Sequence, residues 1–128
     1  MRGLTPPSLY AADFQGCTGL SGRNSDEITT IFLDALRRAG ATVVQVMVHA
    51  FPETGLTCVL ILSESHAVLH TWPETGTMNI DIFSCSTRLK SREAIDELGV
   101  SFGARHISTK EIPRADGQSR GLPPGAGA

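Results

Sequence analysis

Between positions 57 and 87 the sequence concentrates side chains able to attack carbonyls or carry protons: Thr57, Cys58, Ser63, Glu64, Ser65, His66, His70, Glu74 and Cys85. The chain's single tryptophan, Trp72, lies among them. Hydroxyls and thiols are the residue types of nucleophilic catalysis, and imidazole is apt for proton transfer because its pKa lies near working pH. The quartet Ser63-Glu64-Ser65-His66 is the most unusual part, a polar break between two runs that otherwise read as apolar strands. Each residue also has a plainer reading. A serine beside a glutamate at a strand end ordinarily caps loose backbone donors in a turn. A cysteine such as Cys85 is commonly a small buried hydrophobe, and a tryptophan before a proline is commonly core or edge packing. His66 and His70 fall two strand periods apart on one face and, with Cys58 or Cys85, outline a zinc set, but no close Cys-x-x-Cys or Cys-x-x-His pair supports it.

These residues need elements to hold them. Leu9–Phe14 reads as a first strand, after Pro6-Pro7 and before Gly16 and Gly19. From Asn24 the period changes: Ile28, Ile31, Phe32, Ala35, Leu36 and Ala39 form one helical stripe, Asn24 and Glu27 the ends of a capping box, and Gly40 the stop. Thr42–His49 is a β-branched strand apolar on both faces, followed by a turn at Phe51-Pro52-Glu53-Thr54-Gly55. Leu56–Leu62, Ala67–Thr71 and Met78–Phe83 are three more strands, the last after the Trp72-Pro73-Glu74-Thr75-Gly76 break. Ser91–Phe102 carries Ile95, Leu98 and Phe102 on a second helical stripe, although Gly99 costs it about 1 kcal/mol relative to Ala. Arg105–Ile112 alternates imperfectly as a last strand, closed by Pro113. Short connections favour antiparallel pairing. The expected fold is α+β, a two-layer sandwich whose antiparallel sheet is covered on one face by two helices. A second copy is expected to cover the other face, which makes the protein a dimer.

Composition bounds the rest. At 128 residues, 41% hydrophobic and 19% charged, the chain is large enough for one domain with a core of its own. The expected domain is 1–114, and 115–128, rich in Pro, Gly and Ala, reads as a disordered tail. A net charge of -2 with scattered basic residues argues against a nucleic-acid partner. Three cysteines without close pairing fit a reducing compartment, the cytoplasm by default. No apolar run approaches the roughly 18 residues a membrane span needs, and the first residues lack an apolar signal segment.

Leu-Ser-Glu-Ser-His at 62–66, then His-Thr-Trp-Pro-Glu at 70–74 and Asp-x-Phe-Ser-Cys at 81–85, resembles the short prokaryotic type of S-adenosylmethionine decarboxylase proenzyme. A weaker likeness lies in Ala-Asp-Phe-Gln-Gly-Cys at 12–17. The resemblance implies an enzyme that makes its own cofactor. It cuts itself between Glu64 and Ser65 into a β chain, 1–64, and an α chain, 65–128, and Ser65 is converted to a covalent pyruvoyl group. That group forms a Schiff base with the substrate amine and takes the place of pyridoxal phosphate. By the same resemblance His70 takes the proton from the Ser65 Cα during processing, Thr57 assists it, and Cys85 returns a proton to the substrate Cα. Phe51 and Trp72 would stack on adenine or meet the sulfonium, and Glu74 would accept ribose hydroxyls. No metal is implied. The implied partner beyond the substrate is a second processed protomer, with active sites near the interface, and the implied product is the aminopropyl donor for spermidine.

Two departures bear on the substrate. Members of the family commonly carry Gly-x-His before the first-strand element, where this chain has Pro7-Ser8-Leu9, and Tyr-Gly-Tyr-Ala-Ala after Trp-Pro-Glu, where it has Thr75-Gly76-Thr77-Met78-Asn79. Both leave the processing residues intact and alter the walls around them. The alternatives are the same mechanism on arginine or ornithine, and a non-processing subunit of a larger assembly.

Overall fold

The computed structural model describes residues 6–63 and 65–116. Six strands and two helices follow one another as β1 (Ser8–Gln15), α1 (Ser25–Arg38), β2 (Val43–Ala50), β3 (Leu56–Leu62), β4 (Ser65–Trp72), β5 (Thr77–Ser84), α2 (Ser91–Ser101) and β6 (His106–Pro113). The strands form one sheet in the order β2-β3-β4-β5-β1-β6, antiparallel at every pairing. The chain lays down β2 to β5 as successive neighbours, and the first and last strands close the other side.

Alternation along the strands decides which face carries the core. Ala12 and Phe14 of β1, Leu56, Cys58, Leu60 and Leu62 of β3, Ala67 and Leu69 of β4, and Met78, Ile80 and Ile82 of β5 all point to one face and are buried. The helices supply the matching stripes: Ile28, Phe32, Ala35 and Leu36 from α1, Ala94, Ile95 and Leu98 from α2, with Phe102 behind them. At the start of α1 the Asn24 side chain accepts from the Glu27 amide at 2.8 Å and the Glu27 carboxylate accepts from the Asn24 amide at 2.9 Å, the reciprocal capping box expected from the sequence. The helices are tied together where the Arg38 guanidinium pairs with Glu97 and the Lys90 amide donates to the Ala39 carbonyl at 2.8 Å.

The opposite face is open, and the register arranges it in transverse rows. His49, Thr57, His70, Asn79, Asp13 and Ser108 stand side by side across all six strands. The next row is Met47, Val59, Val68, Asp81, Ala11 and Lys110, and the third is Gln45, Ile61, His66, Phe83, Leu9 and Ile112. The face therefore carries a polar row at one end, and beyond it rows that are mostly apolar but include Asp81 and Lys110.

Two details concern the edges of the sheet. β2 is an edge strand with a register shift between Val43 and Gln45, and its apolar residues Val44, Val46, Met47 and Val48 are exposed. β6 closes the other edge, where little of either face is buried, which accounts for its imperfect alternation. Of the expected tail, 117–128 lies outside the described residues. Among the described residues no helix is long and apolar enough to cross a membrane.

Candidate active site

The residues singled out from the sequence fall into two groups at opposite ends of β4. Ser65 is the first residue of that strand, paired with Leu62 on β3 and Ser84 on β5. Leu62 and Ser65 face each other, so residues 63 and 64 alone connect β3 to β4; Glu64 itself lies outside the described residues. Ser65 is half-buried and takes the same alternation as Ala67 and Leu69. Cys85 follows Ser84 directly, which brings its half-buried thiol to the same end of the sheet. His66, next along, lies on the open face with its ring 5.5 Å from that of Phe83.

The second group surrounds His70. Thr57 on β3 is its registered neighbour, and Thr57 Oγ1 lies 2.8 Å from His70 Nδ1. Phe51, Thr57, His70, Trp72 and Glu74 line one cavity of about 400 Å³, with Thr54, Leu56 and Thr71 as the rest of its wall. That volume is within the range of small-molecule sites, and so is the mainly apolar character of the lining. Phe51 and Trp72 keep 49% and 50% of their surface exposed. Aromatic faces left open beside a histidine and a carboxylate are what a flat, polar-edged ligand requires.

The turn before β3 builds one wall. Phe51 donates its amide to the Gly55 carbonyl at 2.9 Å, and Gly55 has φ of 89°. A Cβ on Gly55 would come within 2.7 Å of the Thr71 carbonyl oxygen, so glycine is what lets the turn close onto β4. Thr71, pointing into the core, accepts from the Leu56 amide through Oγ1 at 3.0 Å, pinning the start of β3 to the end of β4. The His49 ring stands edge-on to Phe51 with centroids 4.8 Å apart.

The two groups do not meet within one chain. Ser65 and His70 are five residues apart on a continuous strand, roughly 16 Å at about 3.3 Å per residue. Cys58 faces the helices while His66 and His70 face outward, and among the described residues no three His, Cys, Asp or Glu side chains converge. Burial pushes the Cys17 and Cys58 thiols above the ordinary thiol range, as expected of packing residues. Sequence reasoning passed over Asn79 and Asp13, which lie in the same transverse row as His70. Their side chains are joined by a hydrogen bond, Asn79 Nδ2 donating to Asp13 Oδ1 at 2.8 Å. Asn79 falls within the segment where the chain departs from the family pattern, which was the only signal for it.

Comparison with known proteins gives a consistent result. The family model described as S-adenosylmethionine decarboxylase matches residues 8–115. An S-adenosylmethionine decarboxylase proenzyme of Acidithiobacillus ferrooxidans is 37% identical over 112 residues, covering 88% of this chain and 84% of that one. Its counterpart in Clostridium kluyveri is 38% identical over 103 residues, covering 80% and 82%. The crystal structure of the adenosylmethionine decarboxylase from Aquifex aeolicus shares the fold with a TM-score of 0.78 at 24% identity, over 91% of this chain and 98% of that one. A match spanning β1 to β6, relatives aligned over four-fifths of the chain and a shared sheet-and-helix layering make this chain a member of the S-adenosylmethionine decarboxylase family.

Proposed function

We propose that the chain is the proenzyme of a pyruvoyl-dependent decarboxylase that cuts itself between Glu64 and Ser65. It then converts S-adenosyl-L-methionine to S-adenosyl 3-(methylsulfanyl)propylamine and carbon dioxide, supplying aminopropyl groups for spermidine. The observation that carries this reading is the placement of Ser65 at the head of β4, across from Ser84 and beside Cys85, in a chain 37–38% identical to proenzymes of that name.

The hairpin suits the cut. β3 and β4 are held together by registered pairs from Thr57/His70 to Leu62/Ser65, and each has a further neighbour in β2 or β5. Breaking the two-residue connection therefore frees the nitrogen of residue 65 without removing either strand from the sheet. In processing, Ser65 Oγ attacks the Glu64 carbonyl carbon and the peptide C–N bond gives way to an ester. A base removes the Ser65 Cα proton, the Cβ–O bond breaks with its electrons on the Glu64 carboxylate, and water displaces the nitrogen as ammonia. The pyruvoyl group so formed supplies an electron sink for the bond between the substrate Cα and its carboxylate.

His70 is the proposed base. For its Nε2 to accept a proton, Nδ1 must carry one, and in that tautomer Nδ1 donates to Thr57 Oγ1 across the 2.8 Å contact, which aims the ring. Cys85 is the proposed proton donor to the substrate Cα once carbon dioxide has left. Phe51 and Trp72 offer faces to adenine and the sulfonium, and Glu74 accepts from the ribose hydroxyls.

The roughly 16 Å between Ser65 and His70 is too far for proton transfer, which calls for direct hydrogen-bond reach. Two copies placed open face to open face, about a two-fold axis running across the strands, exchange the two ends of the sheet. The Thr57–His70 end of one protomer then meets the Ser65–Cys85 end of the other, and the mostly apolar rows between them are covered. A homodimer with two composite sites is what this reading calls for. The reading places the enzyme in the cytoplasm, on its odd count of three cysteines. Carboxyl-labelled S-adenosylmethionine, arginine and ornithine offered to the processed protein test the substrate. Label is released as carbon dioxide from the first alone, and release from either amino acid in its place would overturn the assignment.

A further inference from the structure

Trp72 stands at the rim of the cavity, half exposed, where an indole with no polar partner would swing freely about its side-chain bonds. It is not left so. Its Nε1 donates to Asn79 Oδ1 at 2.7 Å, and Asn79 Nδ2 donates to Asp13 Oδ1 at 2.8 Å. The chemistry permits one direction only. Indole nitrogen is a donor, an ionised carboxylate an acceptor, and the amide between them must present oxygen to the first and nitrogen to the second. Asp13 thus fixes how the Asn79 amide is turned, and the amide fixes the indole. The three residues come from the adjacent strands β4, β5 and β1, so the chain of bonds is anchored in the interior of the sheet rather than in a loop.

We infer that Asn79 and Asp13 are positioning residues that hold the Trp72 ring as a fixed wall of the cavity, and that they set affinity for the flat end of the substrate, leaving the chemical step to other groups. The inference rests on the reading that this cavity takes the adenine nucleoside. Neither residue supplies the nucleophile or the base for the cut, and the variants are compared as processed protein, with cutting verified by intact mass.

Trp72 is the only tryptophan, so fluorescence excited at the red edge of the indole band, where the single tyrosine does not absorb, reports on this ring alone. The experiment uses the processed wild-type protein, Asn79→Ala, and the exchange Asp13→Asn/Asn79→Asp. The exchange rebuilds the same order of groups, since the new carboxylate at position 79 accepts from the indole and the new amide at position 13 donates to it. Without substrate, Asn79→Ala gives stronger acrylamide quenching and lower anisotropy, while the exchange returns both to wild-type values. With S-adenosylmethionine, Asn79→Ala raises KM about fivefold, the worth of one net hydrogen bond, with kcat within about twofold. The exchange again restores KM. Unchanged quenching in Asn79→Ala, a fall in kcat at constant KM, or an exchange as impaired as the single variant at equal Tm would each overturn the inference. If S-adenosylmethionine leaves wild-type Trp72 fluorescence unaltered, the assignment of the cavity fails instead, and the substrate-free quenching still decides whether Asn79 holds the ring.

Discussion

If each active site is assembled from two protomers, a chain lacking its own base can still be cut. The perturbation is a pair of single variants, Ser65→Ala and His70→Ala, produced separately and then co-expressed with different tags. Alone, Ser65→Ala has no nucleophile and His70→Ala no base, so both remain whole or nearly so. In a mixed dimer the His70→Ala chain contributes Ser65 and Cys85, and the Ser65→Ala chain contributes Thr57 and His70. One of the two sites is then wild type throughout. With equal amounts and random pairing of a two-fold dimer, about half of the dimers are mixed, so about half of the His70→Ala chains are cut and none of the Ser65→Ala chains. The structural basis is the strand itself: Ser65 and His70 are fixed at opposite ends of β4, roughly 16 Å apart. Denaturing electrophoresis or mass spectrometry of the tagged chains reads the fraction. Efficient cutting of His70→Ala by itself, or none in mixed dimers whose formation is verified by tandem purification, would refute the reasoning.

Three further outcomes test the scaffold. Thr71→Val strands the buried Leu56 amide that Oγ1 now satisfies, so stability falls by about 1–3 kcal/mol, whereas Thr71→Ser stays close to wild type; denaturant unfolding measures both. Gly40 has φ of 107° and a Cβ there would strike the Arg88 carbonyl oxygen, so Gly40→Ala costs at least about 2 kcal/mol and lowers Tm by roughly 8 °C. Cys58 is raised by burial, so the stability contributed by its neutral thiol is whole below the ordinary thiol range and is lost as pH rises through the raised value. A Tm profile through the alkaline range therefore declines more steeply in wild type than in Cys58→Val.

Much of the fold is legible in the chain because local signals and tertiary demands agree. The helical stripe from Ile28 to Ala39 is buried as its period requires, and its capping box forms. The alternation of Leu56–Leu62 matches the observed strand bounds, and β1, β4 and β5 extend one or two residues past their expected ends because pairing with neighbours orders polar residues such as Ser8, Ser65 and Ser84. Strand order is less legible. The β-branched run apolar on both faces became β2 at the edge of the sheet, and nothing in its composition records how many neighbours it has. Gly99 reads as a weak point in α2. In the structure a Cβ there would meet the tip of the Ile107 side chain on β6, a contact between distant segments that period alone does not reveal. The motif residues were legible individually; their division between two ends of one strand was not. It follows from the hairpin register, which turns a spacing of five residues into a separation. Asn79 was hidden for a related reason, because its meaning comes from partners on β4 and β1.

The central claim is that one peptide bond, between Glu64 and Ser65, is broken by the protein itself. Intact mass of the purified protein tests it most directly. The account requires two fragments, 1–64 and 65–128, the second lighter than a serine-ended chain by the difference between an amine-bearing serine and a pyruvoyl group, and both absent from Ser65→Ala. A single uncut chain of 13.6 kDa from the wild type would contradict it.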